Sequence, residues 1–348
     1  MRRGTERFAR ELADGLIARG HRPRLITSHL GRPSRTVEDG LPVTRVWRPP
    51  DGRLRRRMYE EHLTHVPFSY AALSAGDDDV AHALYPTDAL AAGRWGRRTG
   101  RPVVLSLMGI PHRRALADLR GRMAVLERAI AETGALVVLT EAAAAACRRW
   151  LATDARVIAP GVDLERFAPA RPRTLEPTIV CAAAVEQPRK RVGLLVEAFA
   201  LVRAQWPEAR LVLNRPRHPA PAPPPPGVVF ADLDDRTALA EAYGTAWVSA
   251  LPSRDEAFGL VLAEALACGT PCVGSNAGGI PEVVDRPEIG RLFDGDEPAS
   301  LAVALLEALE LARDPATAAA CRARAADFST DRCTERYLEL YRELGAGR

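Results

Sequence analysis

Apolar positions along this chain recur with two periods that alternate. From Glu6 to Arg19, Phe8, Leu12 and Leu16 fall at helical spacing beside Ala9 and Ala13, and Gly20 ends the run. Two runs at strand spacing follow, RPRLITS (22–28) and LPVTRVW (41–47). Val80–Leu84 predicts a short strand, Thr87–Thr99 a helix and PVVLSLMG (102–109) a buried strand. Leu116–Glu132 reads as one long helix, ALVVLT (135–140) as a strand, and an alanine-rich helix to Leu151 precedes RVIAP (156–160). After the proline-rich stretch 160–178, TIVCAAAV (178–185) opens a second alternating series. It continues through VGLLVEAFALVRAQW, ARLVLN, GVVFAD, a helix over 236–246 and WVSALPS. Strand–helix alternation of this kind predicts parallel sheets with helices on both faces. The stretch 160–178 reads as an inter-domain linker and 218–227 as an inert polyproline-type loop.

The most informative segment starts at Leu251, LPSRDEAFGLVLAEALACGTPCVGSNAGGIPEVV. A strand end, Glu256, a turn at Phe258-Gly259-Leu260, a helix carrying Glu264, a strand over Pro271–Gly274 and the loop Gly278-Gly279 come in order. A helix N-terminus presents unpaired N–H groups and partial positive charge, which suits phosphate oxygens. Gly259 lets backbone approach a ligand closely. Eight helical positions rise about 12 Å, so two carboxylates at that spacing could accept hydroxyls from two sugars joined by a diphosphate. Periodicity alone favours a plain βαβ crossover with two solvated glutamates.

Composition narrows the partners. The 348 residues suffice for two ordinary domains. Residues 1–163 hold 27 arginines against 18 acidic residues, a net +9, whereas residues 164–348 carry a net −5. The basic half suggests an anionic partner. No groove-reading motif points to nucleic acid, so anionic lipid or a phosphorylated acceptor fits better. The segment Arg53, Arg55, Arg56, Arg57 with Met58 and Tyr59 reads either as a contact for lipid phosphates or as a solvated helix face. Lys190 is the one lysine among 48 basic residues.

The six cysteines show no metal spacing and read as core residues, which fits a reducing cytoplasm. His62 and His65 share a helix face without partner ligands, so no metal site is expected. No apolar run reaches the ~18 residues of a membrane span, and MRRGTERFARELADGL lacks the apolar region of a signal peptide. The expected location is cytoplasmic, peripheral at the inner membrane face if the arginine segment meets lipid.

EAFGLVLAEALACGTPCVGS followed by GGIPEVV resembles the donor-site signature of the family 4 retaining glycosyltransferases of group 1. The resemblance runs from Gly4 to the last helix. It implies an α/β, GT-B fold of two Rossmann-like doubly wound domains facing a cleft. On this reading 1–163 is the acceptor-side domain, 164–178 the linker, 179–328 the nucleotide-sugar domain, and 329–348 a helix crossing back. It implies a nucleoside diphosphate sugar donor, no cofactor, and an acceptor that is a glycan, a lipid-linked sugar or a small molecule.

The resemblance also implies residue roles. Glu264 would hold the ribose and Glu256 a sugar hydroxyl, with backbone N–H groups of Phe258, Gly259, Leu260 and Val261 facing sugar and phosphate. VEQPRKRVGLL (185–195) is similar to the family's phosphate turn, which makes Lys190 the cation on the leaving group. Family members carry an arginine where this chain has Ala184, so Arg189 or Arg191 would have to supply that charge. Gly4 falls in the family's glycine loop, where Arg3 replaces another glycine. Met108 takes the place of a histidine, for which His112 could substitute. Base contacts are expected from backbone near Asp232-Leu233.

The chain departs from the family in one larger respect. Family members open with a strand before the glycine loop, and here Met1-Arg2-Arg3 stands directly before Gly4. The first domain is therefore expected to lack a central strand and to leave two open sheet edges, a liability for solubility. Together with Ala184 and Met108, this keeps open a catalytically silent nucleotide-sugar-binding protein. A nucleotide-sugar epimerase on the same fold also stays open.

Overall fold

The computed structural model describes residues 4–169, 172–217 and 223–346. Arg3 and the HPAPA half of the proline loop, residues 218–222, lie outside the described residues. The chain divides into two compact units. The first holds Thr5–Ala159 and the C-terminal stretch from Cys333, and the second holds Pro160–Arg332.

The first unit opens with α1 (Gly4–Ala18) and then runs β1 (Leu25–His29), β2 (Ser34–Glu38), β3 (Leu41–Trp47), α2 (Gly52–Arg56) and α3 (Val66–Ser74). It continues with β4 (Ala81–Ala83), α4 (Pro86–Thr99), β5 (Val103–Leu107), α5 (Arg113–Ala117), α6 (Arg122–Ala131), β6 (Ala135–Val138), α7 (Glu141–Leu151) and β7 (Arg156–Val157). These strands form two sheets rather than one. Three are ordered β1-β3-β2, with β2 antiparallel to β3, and four run parallel in the order β4-β5-β6-β7. Helix α1 serves both sheets. Phe8 and Leu12 pack with Val104, Val137 and Ile158, while Ala13 packs with Leu41 and Val43. Arg24, just before β1, holds Asp78, just before β4, through Nε at 2.7 Å.

Two details differ from the pattern along the sequence. The run 116–132 is two helices, because Gly121 adopts φ +74° and starts α6 afresh. A side chain there would be strained, and Arg120 next to it pairs as an isolated bridge with Tyr59. Strand β2 has no signature in the sequence pattern, because none of its five residues is fully buried and it shows no apolar face.

The second unit runs β8 (Thr178–Cys181), α8 (Val192–Gln205), β9 (Arg210–Asn214), β10 (Val228–Ala231), α9 (Arg236–Thr245), β11 (Val248–Leu251) and α10 (Leu260–Ala267). β12 (Cys272–Ser275), β13 (Gly290–Phe293), α11 (Pro298–Leu311) and α12 (Pro315–Ala325) complete it. Its six strands are parallel in the order β10-β9-β8-β11-β12-β13, the doubly wound arrangement. The proline-rich stretch is bound to this unit. Val162 bridges to Ser329, Phe167 packs on Tyr243, and Thr174 N–H donates to Thr245 O at 2.9 Å. The boundary between the units falls at Ala159/Pro160, a few residues before the expected 163.

The last helix, α13 (Thr330–Glu343), returns to the first unit, where Tyr337, Leu338, Leu340 and Tyr341 join Phe8, Val104 and Val137. A polar chain crosses this contact. His82 Nδ1 meets Tyr341 Oη at 2.7 Å, His82 Nε2 meets Ser106 Oγ at 2.7 Å, and Ser106 Oγ meets Tyr337 Oη at 3.0 Å. His82 as a whole residue is only partly buried, yet its ring is enclosed, and burial pulls its pKa down to about 3. The imidazole is neutral, so one nitrogen donates and the other accepts.

Candidate functional site

The second unit's sheet reverses its winding between β8 and β11. Loops leaving these neighbouring strands diverge, which opens a crevice at their C-terminal ends. Both loops carry the charged residues that the sequence singles out. After β8, the single helical turn Pro188–Lys190 presents Lys190, and after β11 the loop to α10 presents Glu256. Lys190 Nζ lies 2.5 Å from Glu256 Oε2, with the two side chains 13% and 16% exposed. Arg189 Nη1 is 3.6 Å from the same oxygen. Two cations therefore share one carboxylate at the switch point.

Backbone bonds stitch these loops together. Arg254 N–H donates to Arg189 O at 2.8 Å, and Gly279 N–H donates to Glu256 O at 2.8 Å. Ser275 Oγ donates to Ser253 O at 2.6 Å. The crevice is thus built from rigid strand ends with cross-linked loops, a preorganised setting for an anion.

Helix α10 starts at this crevice. Gly259 has φ +98° and forms its N-cap. An added Cβ would find only ordinary contacts, the nearest being Ile280 Cγ1 at 3.7 Å. The backbone angle, not space, is what requires glycine here. Close approach decides a second position: a Cβ on Gly274 would sit 2.3 Å from Ile280 Cγ2. The N–H groups of Leu260 and Val261 have no carbonyl partner inside the helix, whereas those of Leu262 and Ala263 return to Gly259 O. Phe258 turns its ring inward against Phe328, at 5.1 Å between centroids, so its backbone alone is available. Glu264, 1% exposed, lies within α10, and its charge joins burial in pushing the Cys268 thiol up to about 12.

The structure brings Lys190, Arg189 and Glu256 into contact, and the start of α10 follows Glu256 in the same loop. Arg191 has other partners. Its backbone is left-handed at φ +51°, and its guanidinium donates to Pro252 O, to Gly295 O and to Asp296. Burial and the nearby charge of Arg254 lower its pKa. Asp296 also takes Arg254, so Arg191 and Asp296 brace the loops rather than presenting a free cation. The N–H of Leu233 donates to Asn214 Oδ1 at 3.1 Å and is spent inside the protein.

In the first unit, His112 caps α5, its Nδ1 accepting from Ala115 N–H at 3.2 Å. Met108 packs beside the Phe8 cluster, and Gly4 opens α1 in an exposed position. Asp296, Arg254 and Asn214 escaped the sequence reading. Only DGDEP, a polar loop after β13, hinted at Asp296, and nothing in the pattern pairs it with residues 42 and 105 positions away. Among the described residues no group of three His, Cys, Asp or Glu is placed to hold a metal ion. All six cysteines are buried and free. No helix among the described residues is long and apolar enough to cross a membrane.

A doubly wound unit with a cation–carboxylate pair at its switch point, preceded by a second α/β unit, defines a protein of the GT-B class. Residues 176–311 match the family described as "Glycosyl transferases group 1", and residues 2–166 match "Glycosyltransferase Family 4". A D-inositol 3-phosphate glycosyltransferase of Jonesia denitrificans is 28% identical, over 97% of this chain and 90% of its own length. One from Salinispora arenicola is 31% identical over 79% of this chain and 71% of its own length. One from Saccharomonospora viridis is 34% identical, but the match spans 65% of this chain and 59% of that protein. Among solved structures, sucrose-phosphate synthase from Thermosynechococcus elongatus superposes with a TM-score of 0.80 at 22% identity, covering 99% of this chain and 94% of that one. HepE of Anabaena, solved in complex with UDP-glucose, gives 0.74 at 16% identity, covering 98% and 96%. The chain belongs to the family 4, group 1 glycosyltransferases, and it is a transferase with the GT-B fold.

Proposed function

We propose that the protein moves a sugar from a nucleoside diphosphate sugar to a hydroxyl acceptor, with retention at the anomeric carbon. The observation that carries this reading is the Lys190–Glu256–Arg189 cluster at the switch point. When the bond from the anomeric carbon to the diphosphate oxygen breaks, negative charge grows on that phosphate. Lys190 and Arg189 stabilise it there, and the N–H groups of Leu260 and Val261 meet the diphosphate. Glu256 keeps Lys190 in place and takes a sugar hydroxyl. A carboxylate already held by two cations is a poor nucleophile. The acceptor hydroxyl therefore attacks on the face the phosphate leaves, and its proton passes to the departing phosphate oxygen. Glu264 is assigned to the ribose.

Arg189 stands in for the arginine that the family places where Ala184 is, since its guanidinium shares the lysine's carboxylate. The curated relatives act, by their names, on D-inositol 3-phosphate. That acceptor and UDP-glucose are the first pair to test. Purified protein should form a glycoside whose anomeric proton coupling by NMR matches the donor's configuration. An inverted product would refute the retaining mechanism. A second reading has its own support: with Ala184 in the phosphate turn and Met108 in the core, the chain could bind donor without turning it over. Nucleotide binding with no donor loss across a panel of acceptors would establish that reading instead.

Gly259→Val tests the helix start. Forcing a β-branched residue to φ +98° costs about 1–3 kcal/mol. If the loop relaxes to avoid this, the first N–H groups of α10 shift. Titration calorimetry with UDP should then show at least tenfold weaker binding, at a melting temperature lowered by a few degrees. Unchanged affinity would mean that the helix start does not touch the diphosphate.

A further inference from the structure

The arginines of α2 take no part in the site above. Arg53, Arg55, Arg56 and Arg57 are all exposed, and among the described residues their side chains have no ion pair, hydrogen bond or aromatic partner. Elsewhere in the unit Arg24 holds Asp78, Arg101 holds Asp77 and Arg122 holds Glu60. Other arginines of the unit, such as Arg35 and Arg113, also lack a side-chain partner, but among the unit's described residues only this segment puts four such arginines within five positions. Nearby carboxylates are engaged elsewhere. Asp51 accepts from Thr64 Oγ1 at 3.2 Å, and Glu60 is taken by Arg122 at 2.6 Å. Glu61 is the one exposed acidic neighbour in the segment.

Apolar side chains follow directly. Met58 is 54% exposed and Tyr59 37% exposed. Met58 has φ +58°, a backbone state that residues with side chains rarely adopt. It is held there by backbone rather than by burial: Arg120 N–H donates to Met58 O at 2.5 Å, and Glu60 N–H donates to Arg120 O at 3.1 Å. In the same stretch, Trp47 stacks edge-on with Phe68 at 5.4 Å, and both remain partly open to solvent.

We propose that the segment from Arg53 to Tyr59 docks this protein on an anionic phospholipid bilayer. Unpaired guanidiniums match lipid phosphates in charge and in bidentate geometry. Methionine and tyrosine beside them are suited to the boundary between headgroups and acyl chains. The net +9 of residues 1–163 strengthens the attraction at longer range. A solvated helix face would explain the arginines but not the exposed, conformationally fixed Met58.

Co-sedimentation of the full chain with vesicles tests this. Vesicles of 30% phosphatidylserine in phosphatidylcholine should bind it at ~0.1 M salt, and pure phosphatidylcholine should not. Raising salt to ~0.5 M should release it. Each arginine is worth about fivefold in partitioning, so R53Q/R55Q/R56Q/R57Q should lose binding by at least a hundredfold. M58S/Y59S should lower it several-fold at unchanged salt dependence. The melting temperature of the quadruple variant should match the parent, because the four guanidiniums have no partner among the described residues, and vesicle binding by M58S/Y59S is read on protein that a melt shows to be folded. Equal binding to neutral vesicles, no binding to anionic ones, or full binding by the quadruple variant would each overturn the proposal. So would retention on heparin or DNA without any binding to vesicles.

Discussion

Lys190→Ala should lower kcat by about 10²–10³-fold, the usual cost of removing one preorganised charge from a developing anion. Lys190 stands in the loop after β8 on one side of the switch point, 2.5 Å from a carboxylate in the loop after β11 on the other side. Its ammonium is mostly shielded, so its charge acts through little intervening water. Loss of the ammonium leaves Glu256 with Arg189 alone, at 3.6 Å and on a half-exposed side chain. The affinity for UDP should fall less than kcat if, as proposed, the N–H groups of α10 hold the diphosphate. Breaking a partly buried pair also costs stability, so kcat must be read beside a melt. Glu256→Gln separates the two effects. It breaks the same pair but keeps the cation, and should retain more of the chemistry than Lys190→Ala. A Lys190→Ala enzyme within threefold of the parent kcat would remove lysine from the mechanism.

The second large effect concerns acid stability. His82 is held neutral in the fold with its pKa near 3, whereas in the unfolded chain it titrates near 6.5. The folded pKa is depressed, so the unfolded state binds the extra proton between these values. Stability from this group is complete above about pH 6.5 and is lost as pH falls toward about 3, by about 1.4 kcal/mol per pH unit. Denaturant unfolding at pH 7.5 and 5.0 should show it. His82→Gln should cost stability at pH 7.5, because Ser106, Tyr337 and Tyr341 lose their shared partner. The gap to the parent should narrow by about 2 kcal/mol at pH 5.0. Parallel pH profiles would mean that His82 takes up its proton in the fold as readily as in the unfolded chain. The consequence reaches α13, because this network ties the last helix to β4 and β5.

Much of the site can be read from the chain because it is local. Glu256, Gly259 and Glu264 lie within nine residues, and helix and strand periods place them on a strand end, a cap and a helix face without long-range knowledge. Lys190 could be picked out by motif and by its uniqueness. What could not be read was pairing across distance. Arg189 and Arg191 are two apart in sequence and equally basic, yet one faces Glu256 and the other braces Asp296. The left-handed backbone at Arg191 decides the difference. The run 116–132 reads as one helix because a single glycine hardly disturbs an apolar period, although the left-handed φ of Gly121 caps α6 as a separate helix.

By itself the sequence determined the alternation of strands and helices, the donor-side signature and the uneven charge, since each depends on neighbours in the chain or on composition. Tertiary structure alone decided two further points: which cations share Glu256, and how α13 is fastened through His82. Both depend on contacts between residues distant in sequence, 66 positions apart for Lys190 and Glu256 and 259 for His82 and Tyr341. Their energies come from burial and hydrogen-bond geometry, and no local pattern encodes these.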